Sequence, residues 1–435
     1  MNWLVGAVLV LILALIFDLG LLAYAMYALL GVLLISRYVT RVSAESLVAT
    51  RECNRLTAEV GDTVAVVVQV ANQGRMPISW CLIEDLLPRH ALIHEPPNLG
   101  VEGKRAILAM IRAGGSKSLH YQLRCNRRGY YQLGPLVMET GDLFGLHRRY
   151  RVGTQPHFLL VFPQVVPLAG YDVSSKRPIG EVRMSYRLYE DPTRIAGVRR
   201  YEAGDPLSRM HWKATARTGL LHSKVYEPST VVGATILMEY HTASHDPRHE
   251  PYRSELAVTA AASIANAVYE MGQQIGLITN GRDAADRIRV EGWDYDLRTR
   301  DAARKAASMV EKSERLQPVM VPTRRGADQL MQILETLARI ELTDGLSLAQ
   351  LIGETTSRMP RDASVIAIVP HVSAEMAISL ANLKRQGYAV TAIISVYDEF
   401  DFAQSSGPLL AAGIPTQHLR DESAISTVCR AFVLR

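Results

Sequence analysis

The sequence predicts a multi-domain chain: an N-terminal transmembrane helical hairpin, an antiparallel β-sandwich, and an α/β doubly wound domain. Three observations carry this expectation. From Trp3 to Ile35 one charge, Asp18, interrupts an otherwise apolar stretch. Short runs of alternating apolar and polar residues, separated by turn residues, follow as far as residue 170. Beyond residue 230 the pattern becomes apolar strands alternating with helices. The expected divisions are 1–40 for the hairpin, 41–170 for the sandwich, 171–230 for a basic connector and 231–435 for the α/β domain.

A helix of ~33 residues would measure ~50 Å, well beyond a hydrocarbon core of ~30 Å. Two shorter spans fit better, with the break at Phe17-Asp18-Leu19-Gly20, where water solvates the carboxylate. No small-residue cleavage site follows, so the segment reads as a permanent membrane anchor. Arg37 and Arg41 follow the second arm, and the positive-inside rule then places the later domains in the cytoplasm of a cell whose plasma membrane holds the hairpin. A single tilted span with the soluble domains facing outward is the alternative.

The sandwich is read from Thr63-Val-Ala-Val-Val-Val-Gln-Val, Trp80-Cys-Leu-Ile-Glu-Asp-Leu, Ser118-Leu-His-Tyr-Gln-Leu and Tyr130-Tyr-Gln-Leu-Gly-Pro-Leu-Val-Met. Asn72-Gln-Gly, Pro96-Pro-Asn and Ala113-Gly-Gly supply turns between them. No helical period is evident. His90 and His94 fall on a loop-like stretch and read as surface histidines. From Arg127 to Leu146, Gly129 and Gly134-Pro135 bracket a strand, and Asp142-Leu-Phe-Gly145 reads as a turn plugged by a buried Phe144.

The connector carries more bases than acids, and its centre runs from Arg200 to Leu221. A short helix from Arg209 to Arg217 is expected, capped by Asp205 or Ser208 and ended by Gly219. Trp212 is expected as a buried anchor, with Lys213 and Arg217 on one helical face. Two readings stand side by side: a cationic docking surface for an acidic partner, and internal pairing with Glu202, Asp205 and Glu227. The aromatics do not interleave with the charges, which argues against nucleic acid. The net charge of +5 over 435 residues also suits weak attraction to anionic lipid better than nucleic-acid binding.

In the last part, Val232–Glu239, Gln274–Thr279, Ser364–Val369 and Tyr388–Val396 read as buried strands. Ser254–Met271, Gln329–Ile340 and Ala374–Gln386 read as helices. Apolar strands alternating with helices imply a parallel sheet covered on both faces, with ligands at the carboxyl ends of the strands. The candidate positions are Glu239-Tyr-His241, Thr279-Asn280 and Pro370-His371-Val-Ser373. No glycine loop follows the first strand, which argues against a nucleotide. Glu239, His241 and His371 are possible metal ligands by residue type; a chance meeting of polar strand ends is the plainer reading. No spacing argues for a Ser-His-Asp triad. The four cysteines, Cys53, Cys81, Cys125 and Cys429, form no close pair. They read as reduced, buried thiols rather than a zinc or redox motif.

Together these stretches resemble the bacterial domain of unknown function 58 family. The specific motif runs from Tyr201-Glu-Ala-Gly204-Asp205-Pro through His211-Trp212-Lys213-Ala-Thr-Ala-Arg217 to Tyr226-Glu227. The resemblance implies a von Willebrand factor A-like α/β domain on a membrane anchor. It implies as partners a MoxR-type AAA+ ATPase, alongside a transglutaminase-like membrane protein, and a non-enzymatic adaptor role in assembly or maturation of envelope proteins. An envelope structural or ligand-binding protein, and a metal-dependent hydrolase, are the alternatives. Such domains commonly hold a divalent cation through Asp-x-Ser-x-Ser after the first strand. Here those positions are Glu239, His241 and Ala243, and a later strand end reads Pro370-His371. The oxygens that magnesium needs are depleted, so no metal and no other cofactor is expected.

Overall fold

The computed structural model describes residues 2–17, 19–93, 96–143, 145–167, 189–202, 210–229, 233–285, 316–360 and 363–433. These residues fall into two compact units, the first holding residues up to Pro163 together with Ala284 and Ala285, the second the rest from Gln164 on.

In the first unit, helix α1 (Asn2–Ile16) packs on helix α2 (Gly20–Ser46). The chain breaks between them at the stretch the sequence singled out; Asp18 itself lies outside the described residues. By length and composition α2 is able to cross a membrane, and α1 is a shorter apolar helix. α2 runs on past Ile35 to Ser46 because its last turns have something to pack on. Ser36, Thr40, Ser43 and Ala44 are buried along one face at helical spacing. These small residues bring the helix close to the sheet beside it. Arg151 Nη1 donates to the carbonyl of Ala44 at 2.9 Å, satisfying a carbonyl the helix end would leave free.

Eleven strands follow: β1 (Leu47–Cys53), β2 (Thr57–Glu59), β3 (Thr63–Asn72), β4 (Ile78–Asp85), β5 (Leu99–Gly103), β6 (Ala106–Ile111), β7 (Ser116–Cys125), β8 (Gly129–Leu133), β9 (Leu136–Gly141), β10 (Arg148–Thr154) and β11 (His157–Phe162). They form sheets ordered β1-β3-β7-β5, β10-β9-β4-β6 and β2-β11-β8. The pairing is antiparallel apart from β2 with β11. On β3 the alternation Val64, Val66, Val68, Val70 points inward and meets Leu119, Tyr121 and Leu123 of β7 in one apolar core.

The strand bracketed by Gly129 and Gly134-Pro135 is β8, and the run Tyr130–Met138 divides after it, because Gly134 turns the chain at φ 90° and Pro135 has no N–H to give a ladder. Residues 89–93, read as loop, form a single helical turn, α3 (Arg89–Ile93). Phe144 and His94 lie outside the described residues.

In the second unit, strands β12 (Tyr189–Arg200) and β13 (His222–Ser229) pair as an antiparallel ribbon. Helix α4 (Trp212–Thr218) lies between them in sequence. The α/β sheet contains β14 (Gly233–Met238), β15 (Gln274–Thr279), β17 (Val319–Arg324), β19 (Ser364–Val369), β20 (Val390–Ile394) and β21 (Thr416–His418). β16 (Arg282–Asp283) and β18 (Ile340–Glu341) pair separately as a two-residue ladder. The sheet order is β17-β15-β14-β19-β20-β21. All neighbours are parallel except β17, which runs antiparallel at the edge. The expected all-parallel sheet is corrected at that strand, where Pro322 and polar residues obscured the apolar run.

Helices α5 (Tyr252–Glu270), α6 (Ala327–Arg339) and α10 (Glu422–Val433) share a core with one face of the sheet. Helices α7 (Leu348–Thr355), α8 (Ala374–Arg385) and α9 (Glu399–Ala411) share a core with the other. The sheet is thus covered on both sides. α5 is buried around most of its circumference, which explains its alanine-rich sequence: only small side chains let a helix sit this close to the sheet and its neighbours.

Candidate functional site

The central strands β14, β19 and β20 end together, and the residues just beyond them line an open cleft of about 450 Å³. Ser244, His245, Asp246, His249, Arg253, His371, Ser395, Tyr397, Asp401 and Ser405 contribute to its walls. This is where parallel sheets hold ligands, because backbone and side chains fan out from the strand ends.

Behind the cleft, Glu239 is buried at the end of β14. Its Oε1 accepts from Ser244 Oγ at 3.0 Å and from Asn280 Nδ2 at 3.3 Å. Asn280 is fixed in turn: its Oδ1 accepts the Tyr240 N–H at 2.7 Å, and its Nδ2 also donates to the Leu346 carbonyl at 2.8 Å. Glu239 Oε2 has no hydrogen-bond partner. Burial raises the Glu239 carboxyl pKa, and the bonds from Ser244 and Asn280 only partly oppose that.

Several other polar groups around the cleft have local partners. His241 caps a short turn, Thr242–Ser244, its Nδ1 accepting the Ala243 N–H at 3.1 Å. His245 Nδ1 lies 3.0 Å from the His241 carbonyl, while its Nε2 is buried without a partner. His371 Nδ1 lies 3.3 Å from Ser405 Oγ, and no carboxylate among the described residues hydrogen-bonds to His371 to complete a relay. Arg253 Nη1 donates to the carbonyls of Leu419 and Arg420 at 3.2 and 2.8 Å, and the guanidinium lies over the rings of Tyr252 and Tyr397. Its Nη2 and the Ser395 Oγ are buried and unpartnered.

The structure therefore does not bring Glu239, His241 and His371 into one ligand set. Among the described residues no three His, Cys, Asp or Glu side chains cluster at metal-binding distance. A hard divalent cation wants several oxygens in near-octahedral order. One buried carboxylate, with one oxygen already engaged twice, does not fit that demand. Ser244, one residue past Ala243, supplies the hydroxyl bonded to Glu239.

The motif region behaves differently from its reading. α4 begins at Trp212 with His211 as its cap, the His211 Nδ1 accepting the Ala214 N–H at 3.0 Å. Asp205 and Ser208 are not the cap; Gly204, Asp205 and Ser208 themselves lie outside the described residues. Gly219 ends the helix in the left-handed conformation at φ 72°, as expected. Trp212 is not a buried anchor: it is 66% exposed. Among the described residues this seven-residue helix on a two-stranded ribbon meets no core that receives the ring. Lys213 and Arg217 share its exposed surface and form no ion pair among the described residues, while Arg199 pairs with Glu202 at 3.0 Å. Leu220 and Leu221 are exposed beyond the helix. Tyr201 hydrogen-bonds through its N–H to the Leu221 carbonyl at 2.9 Å, closing the ribbon. Tyr226 and Glu227 lie on β13, Tyr226 opposite Ile195.

Residues 197–292 match the family described as "Protein of unknown function DUF58". That interval holds the ribbon's second half, α4, the first sheet strand, Glu239 and α5. The chain is 26% identical over 261 residues to the "Uncharacterized protein YeaD" of Bacillus subtilis (strain 168), covering 60% of this chain and 62% of that protein. It thus matches less than two thirds of that relative's length. Among solved structures, proximal thread matrix protein 1 from the mussel byssus aligns with a TM-score of 0.29 at 11% identity, over 46% of this chain and 47% of that one. A CARDB domain from Pyrococcus furiosus, solved with di-metal ions, aligns at 0.19 and 10% identity, over 26% and 86%. Likenesses of that strength carry no argument about this chain.

Proposed function

Because residues 197–292 carry the domain of unknown function 58 match, we propose that this chain is a membrane-anchored, non-enzymatic interaction protein. In this reading α1 and α2 form a transmembrane hairpin, and the following domains face the cytoplasm. The α/β unit is of von Willebrand factor A-like type and holds no magnesium. The partner is a MoxR-type AAA+ ATPase, with a transglutaminase-like membrane protein as a further component, and the process served is assembly or maturation of envelope proteins.

The observation that carries the reading is α4. An exposed tryptophan flanked by exposed Lys213 and Arg217, with Leu220 and Leu221 beside it, contributes little to folding. Aromatic anchors ringed by cations are what protein interfaces use, tryptophan and arginine being the residues that dominate binding energy. The surface fits an acidic, partly apolar partner face.

The test is a pull-down of tagged full-length protein from membranes beside the Trp212→Ala, Lys213→Ala, Arg217→Ala variant, with mass spectrometry. Recovery of an AAA+ ATPase with the wild type alone supports docking on α4. Equal recovery keeps the partner and removes α4 as its site, and no ATPase in either sample removes the partner. The cleft favours a second reading, a ligand-binding envelope protein, because Ser395 Oγ, Arg253 Nη2 and His245 Nε2 are all unpartnered around it.

A further inference from the structure

The first unit holds an exposed apolar feature that the adaptor reading does not use. Leu143 is 78% exposed and Leu146 50%, both on the loop that joins β9 to β10. The described residues at its two ends are tightly held. Asp142 Oδ1 accepts the His147 N–H at 2.7 Å, the Asp142 carbonyl accepts from Trp80 Nε1 at 3.1 Å, and it also accepts the Gly145 N–H at 3.3 Å. Two leucines held outward by a fixed turn are not a collapsed core.

The loop's position along α2 is also fixed. Ser36 Oγ lies 2.8 Å from His147 Nδ1. Ser36 follows directly on the apolar run Gly20–Ile35, whose length at 1.5 Å per residue is ~24 Å, close to the ~30 Å of a hydrocarbon core. The loop therefore stands where that run ends. Around the same level Arg37 and Tyr38 are exposed on α2, and Arg148 and Arg149 are exposed at the start of β10. The nearby acids are engaged: Glu139 faces Arg148 at 3.6 Å and Glu45 faces Arg41 at 2.9 Å. Exposed leucines, a tyrosine and arginines at one level are the composition of a bilayer interface, where apolar tips enter the acyl boundary and cations meet anionic headgroups.

We propose that Leu143 and Leu146 form a second membrane contact, seated in the headgroup layer of an anionic lipid leaflet beside the end of the α2 span. The proposal rests on the membrane reading above and deepens it: with α2 packed on the sandwich and the loop in the lipid surface, the sandwich has one fixed orientation on the membrane.

The test uses the full-length chain in vesicles of phosphatidylcholine with phosphatidylglycerol. Nitroxides are placed one at a time through Leu143→Cys, Leu146→Cys, Leu29→Cys within α2, and Lys104→Cys. Lys104 is exposed on the turn before β6, at the end of the sandwich away from Asp142. Cys53, the half-buried thiol, is replaced by serine; the others are buried. Accessibility to oxygen is compared with accessibility to a water-soluble nickel chelate. The expected result is an oxygen-to-nickel ratio at Leu143 and Leu146 several-fold above Lys104 and below Leu29, falling towards Lys104 when Arg148→Ala and Arg149→Ala are added. A lipid-buried Leu29 with Leu143 and Leu146 as wet as Lys104 overturns the proposal and leaves the span intact. Shielding of Leu143 and Leu146 from both reagents overturns it in favour of a protein contact. A water-exposed Leu29 removes the span, and the proposal with it.

Discussion

In the sandwich, Arg51 and Asp85 bury two full charges and leave no polar atom idle. At the strand ends of the α/β sheet, Glu239 buries one carboxylate and leaves an oxygen idle. Arg51 Nε donates to Asp85 Oδ2 at 3.0 Å, its Nη2 pairs with Oδ1, and its Nη1 donates to the carbonyls of Leu133 and Gln155 at 3.1 and 3.0 Å. Tyr121 Oη donates to Asp85 Oδ2 at 2.7 Å, and burial, reinforced by Asp85, holds the phenol protonated far above its usual range. A saturated buried pair ties strands together and has nothing left to offer a ligand. An under-satisfied one beside an open cleft is the opposite case. The contrast separates architecture from candidate function without any appeal to motif.

The sharpest way to break this contrast is at Asp85. Asp85→Ala leaves the Arg51 guanidinium buried without its counter-ion, and removing one partner of such a pair costs about 3–5 kcal/mol. Urea denaturation of the full chain should show that loss; a change below about 1 kcal/mol would mean the pair is not the tie described. Next comes Gly134→Ala. Gly134 has φ 90°, and an added Cβ would sit on the Arg51 guanidinium. Backbone strain of this kind costs about 1–3 kcal/mol, and the same denaturation assay reads it.

Glu239→Gln should act with the opposite sign. Burial raises the folded carboxyl pKa above its unfolded value. The destabilisation is absent below the ordinary glutamate range, grows as pH rises through it, and is complete above the raised value. The glutamine variant should therefore gain stability relative to wild type as pH rises from acid to neutral. A variant that instead loses stability over that range would make Glu239 as structural as Asp85. The smallest effect is expected at Trp212→Ala, within about 0.5 kcal/mol, since the ring is exposed and supports no core. A larger drop in thermal unfolding would show that Trp212 is covered in the folded chain.

The legibility of these features follows the same division. The apolar run of α2, the alternation of β3 and β7 and the apolar strands β14, β15, β19 and β20 were readable because each repeats a local period. β17 was missed because Pro322 and flanking polar residues break its pattern. Arg51 and Asp85, 34 residues apart, gave no local signal at all. At the cleft, Glu239 and Asn280 were found from strand ends, whereas Ser244, Ser395 and Arg253 were not, since they arrive from separate loops and a helix. Trp212 was misread because a large aromatic in sequence carries no mark of whether a core exists to receive it.

The sequence by itself determined the order of the described elements, the apolar N-terminal helices and the two kinds of sheet, because hydrophobic periodicity and turn residues act over a few residues. Tertiary structure alone decided which buried charges are paired, where the cleft opens, that α2 continues onto the sandwich, and that Trp212 faces outward. Those outcomes depend on contacts between residues tens to hundreds of positions apart, and burial and hydrogen-bond satisfaction are set by the packed neighbours, not by the local chain.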